Sequence, residues 1–266
     1  MPLVETENLV KKYSGVTAVD GVSFTIDEGR IFGLLGPNGA GKTTIISILS
    51  TYLEPTSGEA VIDGLSVTRQ AALVRKIIGL VPQEIALYPT LTAVENLRFY
   101  GRMYGLAGNR LEDRCREVLN LVELWDRRED RIERFSGGMK RRINMGAGLL
   151  HHPRFLLLDE PTVGVDPQSR EHIFDTIFKI RDSGTTILYT SHYMEEVELL
   201  CDQIAIMDKG RIIASGTLKE LLRMLGEGGV IELEISPPGC PEGLEEQVMA
   251  QKSVSGVRRE DNRLLI

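Results

Sequence analysis

The nine consecutive residues Gly36, Pro37, Asn38, Gly39, Ala40, Gly41, Lys42, Thr43 and Thr44 restrict this chain more than any other stretch of it. They lie between an apolar run at 31–35, which reads as a strand, and a run at 44–49 with helical character. Glycines here let backbone N–H groups curl round an anion with no Cβ in the way. The helix that follows offers unpaired N–H groups and its positive dipole end. Lys42 adds a point charge for the outer phosphates, and Thr43 a hydroxyl for magnesium. Strand, loop, lysine, hydroxyl and helix in that order predict a βα unit built to hold a nucleoside triphosphate. The expected fold is α/β, with the ligand at the carboxyl end of the sheet.

Two later segments extend this site. Phe155, Leu156, Leu157 and Leu158 read as a buried strand that ends in Asp159 and Glu160, which places both carboxylates at the carboxyl end of the same sheet. Asp159 is suited to hold magnesium. Glu160, pointing to the other side, is suited to polarise a water against the γ-phosphate as general base. Ser136, Gly137 and Gly138 directly precede a helical run and form a second anion-accepting helix start. A single triphosphate has little use for two such turns in one subunit. The economical account is a head-to-tail dimer in which this turn caps the nucleotide held by the partner.

Along the chain, short strand-like runs at 3–9, 22–26 and 31–35 precede the phosphate loop, with turns at Ser14–Gly15 and Glu28–Gly29. From 91 to about 150 the apolar spacing becomes helical, as in Leu111, Cys115, Val118, Leu119 and Val122. The β/α alternation resumes with a strand at 155–158, a helix after Pro167, a strand at 185–189, a helix from Tyr193 and a strand at 204–207. A short helix at 218–225, a glycine break at 226–229, a strand-like 230–235, a Pro-Pro-Gly turn and a tail ending at 264–266 make a small appendage that stops abruptly.

Composition closes off other classes. The 266 residues, 42% hydrophobic and 26% charged, suit one large α/β domain with an appendage. A formal net charge of −7 supplies no basic field for nucleic acid. Lys140, Arg141 and Arg142 on one helix are expected to form a solvated face. No apolar stretch approaches a membrane span, and the acidic N-terminus lacks a signal pattern, so a cytoplasmic protein is expected. Cys115, Cys201 and Cys240 include no Cys-x-x-Cys pair and read as reduced thiols or core fillers.

Taken together, these motifs resemble the ATP-binding cassette (ABC) ATPases, and the resemblance runs from Tyr13 to about Gly216 in family order. It implies a P-loop NTPase (RecA-like) core sheet, an antiparallel N-terminal β subdomain and an inserted α-helical subdomain at about 84–150. The cassette would span 1–216 and the appendage 217–266. The resemblance makes Tyr13 the ring that stacks on adenine. Gln83 becomes the glutamine that reads the γ-phosphate and magnesium, and Ser136 to Gly138 become the signature turn. His192 becomes the switch histidine, and 161–166 a loop crossing a dimer interface, with Asp166 its partner-contacting acid. Phe135 and Val165 stand where the family usually has leucine, and both keep apolar character.

The implied activity is ATP hydrolysis with Mg2+. It would be carried out by a homodimer, or by a pair with a sister cassette, docked on a transmembrane permease subunit and so peripheral on the inner face of the cell membrane. Ile85, Leu87, Tyr88, Leu91 and Val94 would line the docking groove. The motif wording is similar to prokaryotic export-type subunits of the drug and sodium extrusion group. The rival is a soluble ABC-type ATPase acting in translation or DNA maintenance. Such proteins need long coiled coils, paired cassettes or zinc cysteines, and no heptads occur between Lys42 and Ser136.

Overall fold

A computed structural model describes residues 1–224, 232–234, 243–251, 254, 256–260 and 263–265. The chain divides into two compact units, Met1–Thr217 and Leu218–Ile266. In the first, β1 (Pro2–Tyr13) and β2 (Val16–Asp27) form a long antiparallel hairpin, turning at Gly15 with its positive φ of 81°. In β2, Val22, Phe24 and Ile26 alternate inward, the pattern of a sheet with one solvated face. Next come β3 (Ile31–Leu35), α1 (Lys42–Leu49), β4 (Ser57–Ile62), β5 (Leu65–Ser66), α2 (Ala71–Ile77) and β6 (Ile78–Val81). The helical block holds α3 (Ala93–Met103), α4 (Gly108–Leu121) and α5 (Gly137–Leu149). Then follow β7 (Phe155–Asp159), α6 (Pro167–Asp182), β8 (Thr186–Ser191), α7 (Met194–Leu200), β9 (Gln203–Asp208) and β10 (Arg211–Gly216).

Two sheets result. One is antiparallel in the order β2-β1-β4-β5, and the other runs β10-β9-β3-β8-β7-β6. In the second, β3, β6, β7, β8 and β9 are parallel and β10 closes one edge antiparallel to β9. Strands β3, β7 and β8 are buried throughout, as parallel strands covered on both faces must be. Side-chain alternation divides their residues between two cores. Phe32, Leu34, Phe155, Leu157 and Leu188 pack with α1 and the antiparallel sheet. Leu156, Leu158, Ile187 and Tyr189 pack with α3, α4, α5 and α6. The expected α/β core with an antiparallel subdomain and a helical insert is therefore present.

The capping box of α3 explains where that insert turns helical. Thr92 Oγ1 accepts from the Glu95 N–H at 3.2 Å, and a Glu95 carboxylate oxygen accepts from the Thr92 N–H at 2.8 Å. Strand register then sets the site. Asp159 pairs with Thr190, and Leu35 with Ser191, so both carboxylates leave β7 beside the loop that leaves β3.

The second unit is described in pieces: α8 (Leu218–Met224), β11 (Glu232–Glu234), α9 (Leu244–Met249), β12 (Arg258–Glu260) and β13 (Arg263–Leu265). Its strands pair antiparallel in the order β11-β13-β12. The expected break at 226–229 and the Pro-Pro-Gly turn lie outside the described residues.

Candidate functional site

The loop from β3 to α1 is shaped by close backbone approaches. A Cβ on Gly36 would stand 2.3 Å from the Met207 carbonyl oxygen, and one on Gly41 would stand 2.3 Å from that of Ala18. Gly41 also has φ 107°, which disfavours any side chain. The loop borders a cavity of about 350 Å³ lined by Ala18, Asn38, Gly39, Gly41, Lys42, Thr43, Thr44, Gln83 and Glu160. The N-terminus of α1 opens into it, with its unpaired N–H groups.

Lys42 is buried at the base of the loop. Its Nζ donates to the Gly36 carbonyl at 2.7 Å and the Pro37 carbonyl at 3.2 Å, and lies 3.1 Å from Glu160 Oε1. Glu160 is the hub of the cluster. Its other oxygen faces Gln83 Nε2 at 3.5 Å and His192 Nδ1 at 3.2 Å. Against an ionised carboxylate, that contact requires the proton on Nδ1 of the imidazole. Glu160 holds a positive φ of 44°, a conformation costly for a residue with a side chain. Its N–H donates to Thr190 Oγ1 at 3.0 Å.

Asp159 receives Thr190 Oγ1–H at 2.9 Å and Thr43 Oγ1–H at 3.4 Å on the same oxygen. Burial raises its pKa above the ordinary carboxylate value, and the Glu160 charge adds to that. The hydrogen bonds from Thr190 and Thr43, with the Lys42 charge, oppose it. Thr43, which lines the cavity, and Asp159, bonded to it, thus supply hard oxygens, the donor type that magnesium takes.

Six of the sequence-derived residues, Lys42, Thr43, Gln83, Asp159, Glu160 and His192, are thereby joined in one polar cluster. Asn38, Gly39 and Thr44 line the cavity beside them, while Pro37 and Ala40 shape the turn through the Ala40 N–H to Pro37 carbonyl bond of 3.1 Å. Ser136, Gly137, Gly138 and Tyr13 stand apart from it. Ser136 caps α5, its hydroxyl accepting from the Met139 N–H at 3.2 Å, and Ser136 and Gly137 are exposed. Gly138 is needed for packing, because a Cβ there would meet Ser169 Cβ at 2.3 Å. Tyr13 ends β1 half-exposed, with the Lys11 ammonium 5.5 Å from its ring centre.

Two expectations need correction, and one residue went unread. Arg141 and Arg142 are not part of a solvated face. Arg141 is buried and donates to the Pro82 carbonyl at 3.1 Å and the Gln83 carbonyl at 2.6 Å, while Arg142 donates to the Val122 carbonyl at 2.9 Å. The long guanidinium arms satisfy carbonyls that no helix or sheet reaches. Leu87 and Val94 turn into the helical core, while Ile85, Tyr88 and Phe99 are among the apolar residues exposed on the insert. Tyr88 packs edge-on against Phe99 at 4.9 Å. Thr190, which ties Asp159 to Glu160, escaped the sequence reading. The signal was a hydroxyl at the end of an otherwise apolar strand.

The cysteine expectation fares differently: Cys115 and Cys201 are free thiols, the first buried in the helical core, and Cys240 lies outside the described residues. Among the described residues no helix is long and apolar enough to cross a membrane.

Comparison with known proteins finds a family for the chain. A family model described as ABC transporter matches residues 19–163. The linearmycin resistance ATP-binding protein LnrL of Bacillus subtilis is 52% identical over 234 residues, covering 88% of this chain and 75% of that protein. The daunorubicin/doxorubicin resistance ATP-binding protein DrrA of Streptomyces peucetius is 39% identical over 97% of this chain and 78% of its own length. The Nod factor export ATP-binding protein I of Ralstonia nicotianae is 40% identical over 83% of this chain and 69% of its own. Among solved structures, a dimeric ATP-binding cassette in a post-hydrolysis state with ADP and Pi superposes with TM-score 0.73. It is 26% identical, over 81% of this chain and 98% of that one.

Proposed function

The chain belongs to the ABC transporter family as an ATP-binding subunit, and from that premise we propose that it energises an export permease through the Glu160 cluster. The observation that carries this is the convergence of Lys42, Gln83 and His192 on one buried carboxylate at the mouth of the phosphate loop. ATP enters with its phosphates over the loop amides and the adenine on Tyr13. The γ-phosphate attracts Lys42, and Glu160 Oε1, now released from the ammonium, takes a proton from the attacking water. His192 and Gln83 keep the carboxylate oriented. Thr43, Asp159 and Gln83 would hold Mg2+, which neutralises charge on the phosphate oxygens when bound.

The exposed turn at Ser136 and Gly137 reaches the nucleotide of a second cassette, either a copy of this chain or a sister. ATP stabilises the closed pair, and hydrolysis removes that stabilisation and reopens it. The exposed Ile85, Tyr88 and Phe99 receive the permease, which holds the chain at the inner face of the membrane. The relatives are named for resistance to linearmycin, daunorubicin and doxorubicin and for Nod factor export, so a drug or another exported compound is the favoured cargo class. An ATPase of DNA maintenance is disfavoured, because the longest helix between Lys42 and Ser136 has 14 residues and cannot form a long coiled coil.

The test is affinity purification of the full chain from detergent-solubilised native membranes. A multi-span membrane protein in stoichiometric yield is expected. Ribosomal or chromosomal partners in its place, under several mild detergents, would contradict the reading.

A further inference from the structure

Glu196 on α7 is 1% exposed, and no step above uses it. Its Oε2 accepts from Tyr189 Oη at 2.8 Å and Ser191 Oγ at 2.6 Å. Its Oε1 is buried with no hydrogen-bond partner. Facing that oxygen at 3.8 Å is Nε of Arg170, an atom itself shielded and unpartnered although the side chain is 32% exposed. A carboxyl oxygen and a guanidinium N–H left dry beside each other cost free energy. The gap is about 1 Å longer than a charge-assisted hydrogen bond.

Both residues hold the short segment that carries His192. Ser191 Oγ, which donates to Glu196, also accepts from the Tyr193 N–H at 3.0 Å. The Arg170 guanidinium lies 5.9 Å from the centre of the Tyr193 ring, and that ring lies 4.1 Å from the imidazole of His192. Arg170 itself stands in the first turn of α6, its N–H donating to the Asp166 carbonyl at 2.9 Å. A physical chain therefore runs from the start of α6 through Arg170, Glu196 and Tyr193 to His192 and on to Glu160.

We propose that Arg170 and Glu196 are positioning residues for ATP hydrolysis, whose ion pair closes in the catalytic geometry and fixes His192 against Glu160. The inference rests on the hydrolytic role given to Glu160 and His192 above. A contact that is long in the ground state and short in the reacting geometry contributes to turnover and little to substrate binding. Charge at position 170 is needed for it, and the two residues act as one unit.

The experiment is steady-state Mg-ATP hydrolysis by the full chain, comparing wild type with Arg170→Gln, Arg170→Lys, Glu196→Gln and the double Gln variant, together with thermal unfolding of each. Each Gln variant is expected to lose about tenfold in kcat with KM for ATP within about twofold, the pattern of an interaction made only in the transition state. Arg170→Lys should recover part of the loss, and the double variant should be no slower than the slower single variant. Unchanged kcat in either single variant, or losses that multiply in the double, would overturn the inference while leaving the ATPase reading intact. So would a fall in kcat accompanied by a raised KM and a lowered thermal midpoint, since that marks a merely structural pair. Absence of turnover in the wild-type chain would overturn both.

Discussion

At the scale of single residues, the site accepts instability in return for chemistry. Asp159 is a buried carboxyl whose pKa is raised, first by desolvation. A group whose folded pKa lies above its unfolded one stabilises the fold fully below the unfolded pKa, and that contribution is lost as pH rises through the folded pKa. At neutral pH ionised Asp159 is therefore a cost. Asp159→Asn keeps an acceptor for Thr190 and removes the charge, so without nucleotide it should raise the thermal midpoint at pH 7. An increase of about 2–4 °C corresponds to 1 kcal/mol in a chain of this size. The gain should shrink toward pH 4, and Mg-dependent turnover should vanish. A lower midpoint at pH 7, read by circular dichroism, would show that the charge is stabilising.

The cysteines give a second test at this scale. Burial pushes the Cys115 thiol up to about 11 and raises that of Cys201 as well. Thiolate is the reactive form, so neither should alkylate with iodoacetamide at pH 7.5 until denaturant is added, as peptide mass mapping would show. Labelling of either in the native chain would contradict the packing.

Among elements, the least obvious work is done by α5, whose Arg141 reaches across to hold the backbone at Pro82 and Gln83. Arg141→Ala leaves two carbonyls without their donor and should cost about 3 kcal/mol in urea unfolding, with loss of turnover as Gln83 loses its support. Arg141→Lys, a point donor without the planar fork, should recover only part of each. An unfolding midpoint unchanged by Arg141→Ala would refute the stapling role.

How far the elements could be read from sequence depended on whether their signal was local. The β3–loop–α1 unit, the β7 carboxylates and the helical insert were legible, because periodicity, glycine spacing and motif order mark them within a few residues. By contrast β4, β5, α2, β6 and β10 went unread. The four residues of β6 are too few to show a period, and its Gly79 reads as a breaker. In the fold that glycine is required by α5, since a Cβ would lie 2.3 Å from the Gly148 carbonyl oxygen. Thr190, Arg141, Arg170 and Glu196 were illegible for a related reason. The meaning of Thr190 comes from a partner 31 positions away and that of Arg141 from one 58 positions away, and no spacing within either segment announces them.

For the molecule as a whole, the proposed function makes this chain half of a machine. The phosphate loop and Glu160 border one cavity and His192 holds Glu160, while Ser136 and Gly137 present a capped, exposed helix start that shares no hydrogen bond with that cluster among the described residues. In the proposed pair a second cassette would bring such a turn to each nucleotide, and two equivalent exchanges would close a two-fold dimer. The antiparallel sheet and α1 make one core and the helical insert another, joined through the central sheet, and in the proposed mechanism this continuity would carry closure at the nucleotide to the insert where Ile85, Tyr88 and Phe99 are exposed.

Sedimentation of Glu160→Gln with ATP and Mg2+ tests that account most directly. Removing the base should stop hydrolysis while leaving the phosphate contacts, so the chain should run as a dimer holding one ATP per subunit and return to monomer when nucleotide is withdrawn. A monomer with ATP bound, or turnover at the wild-type rate, would contradict it.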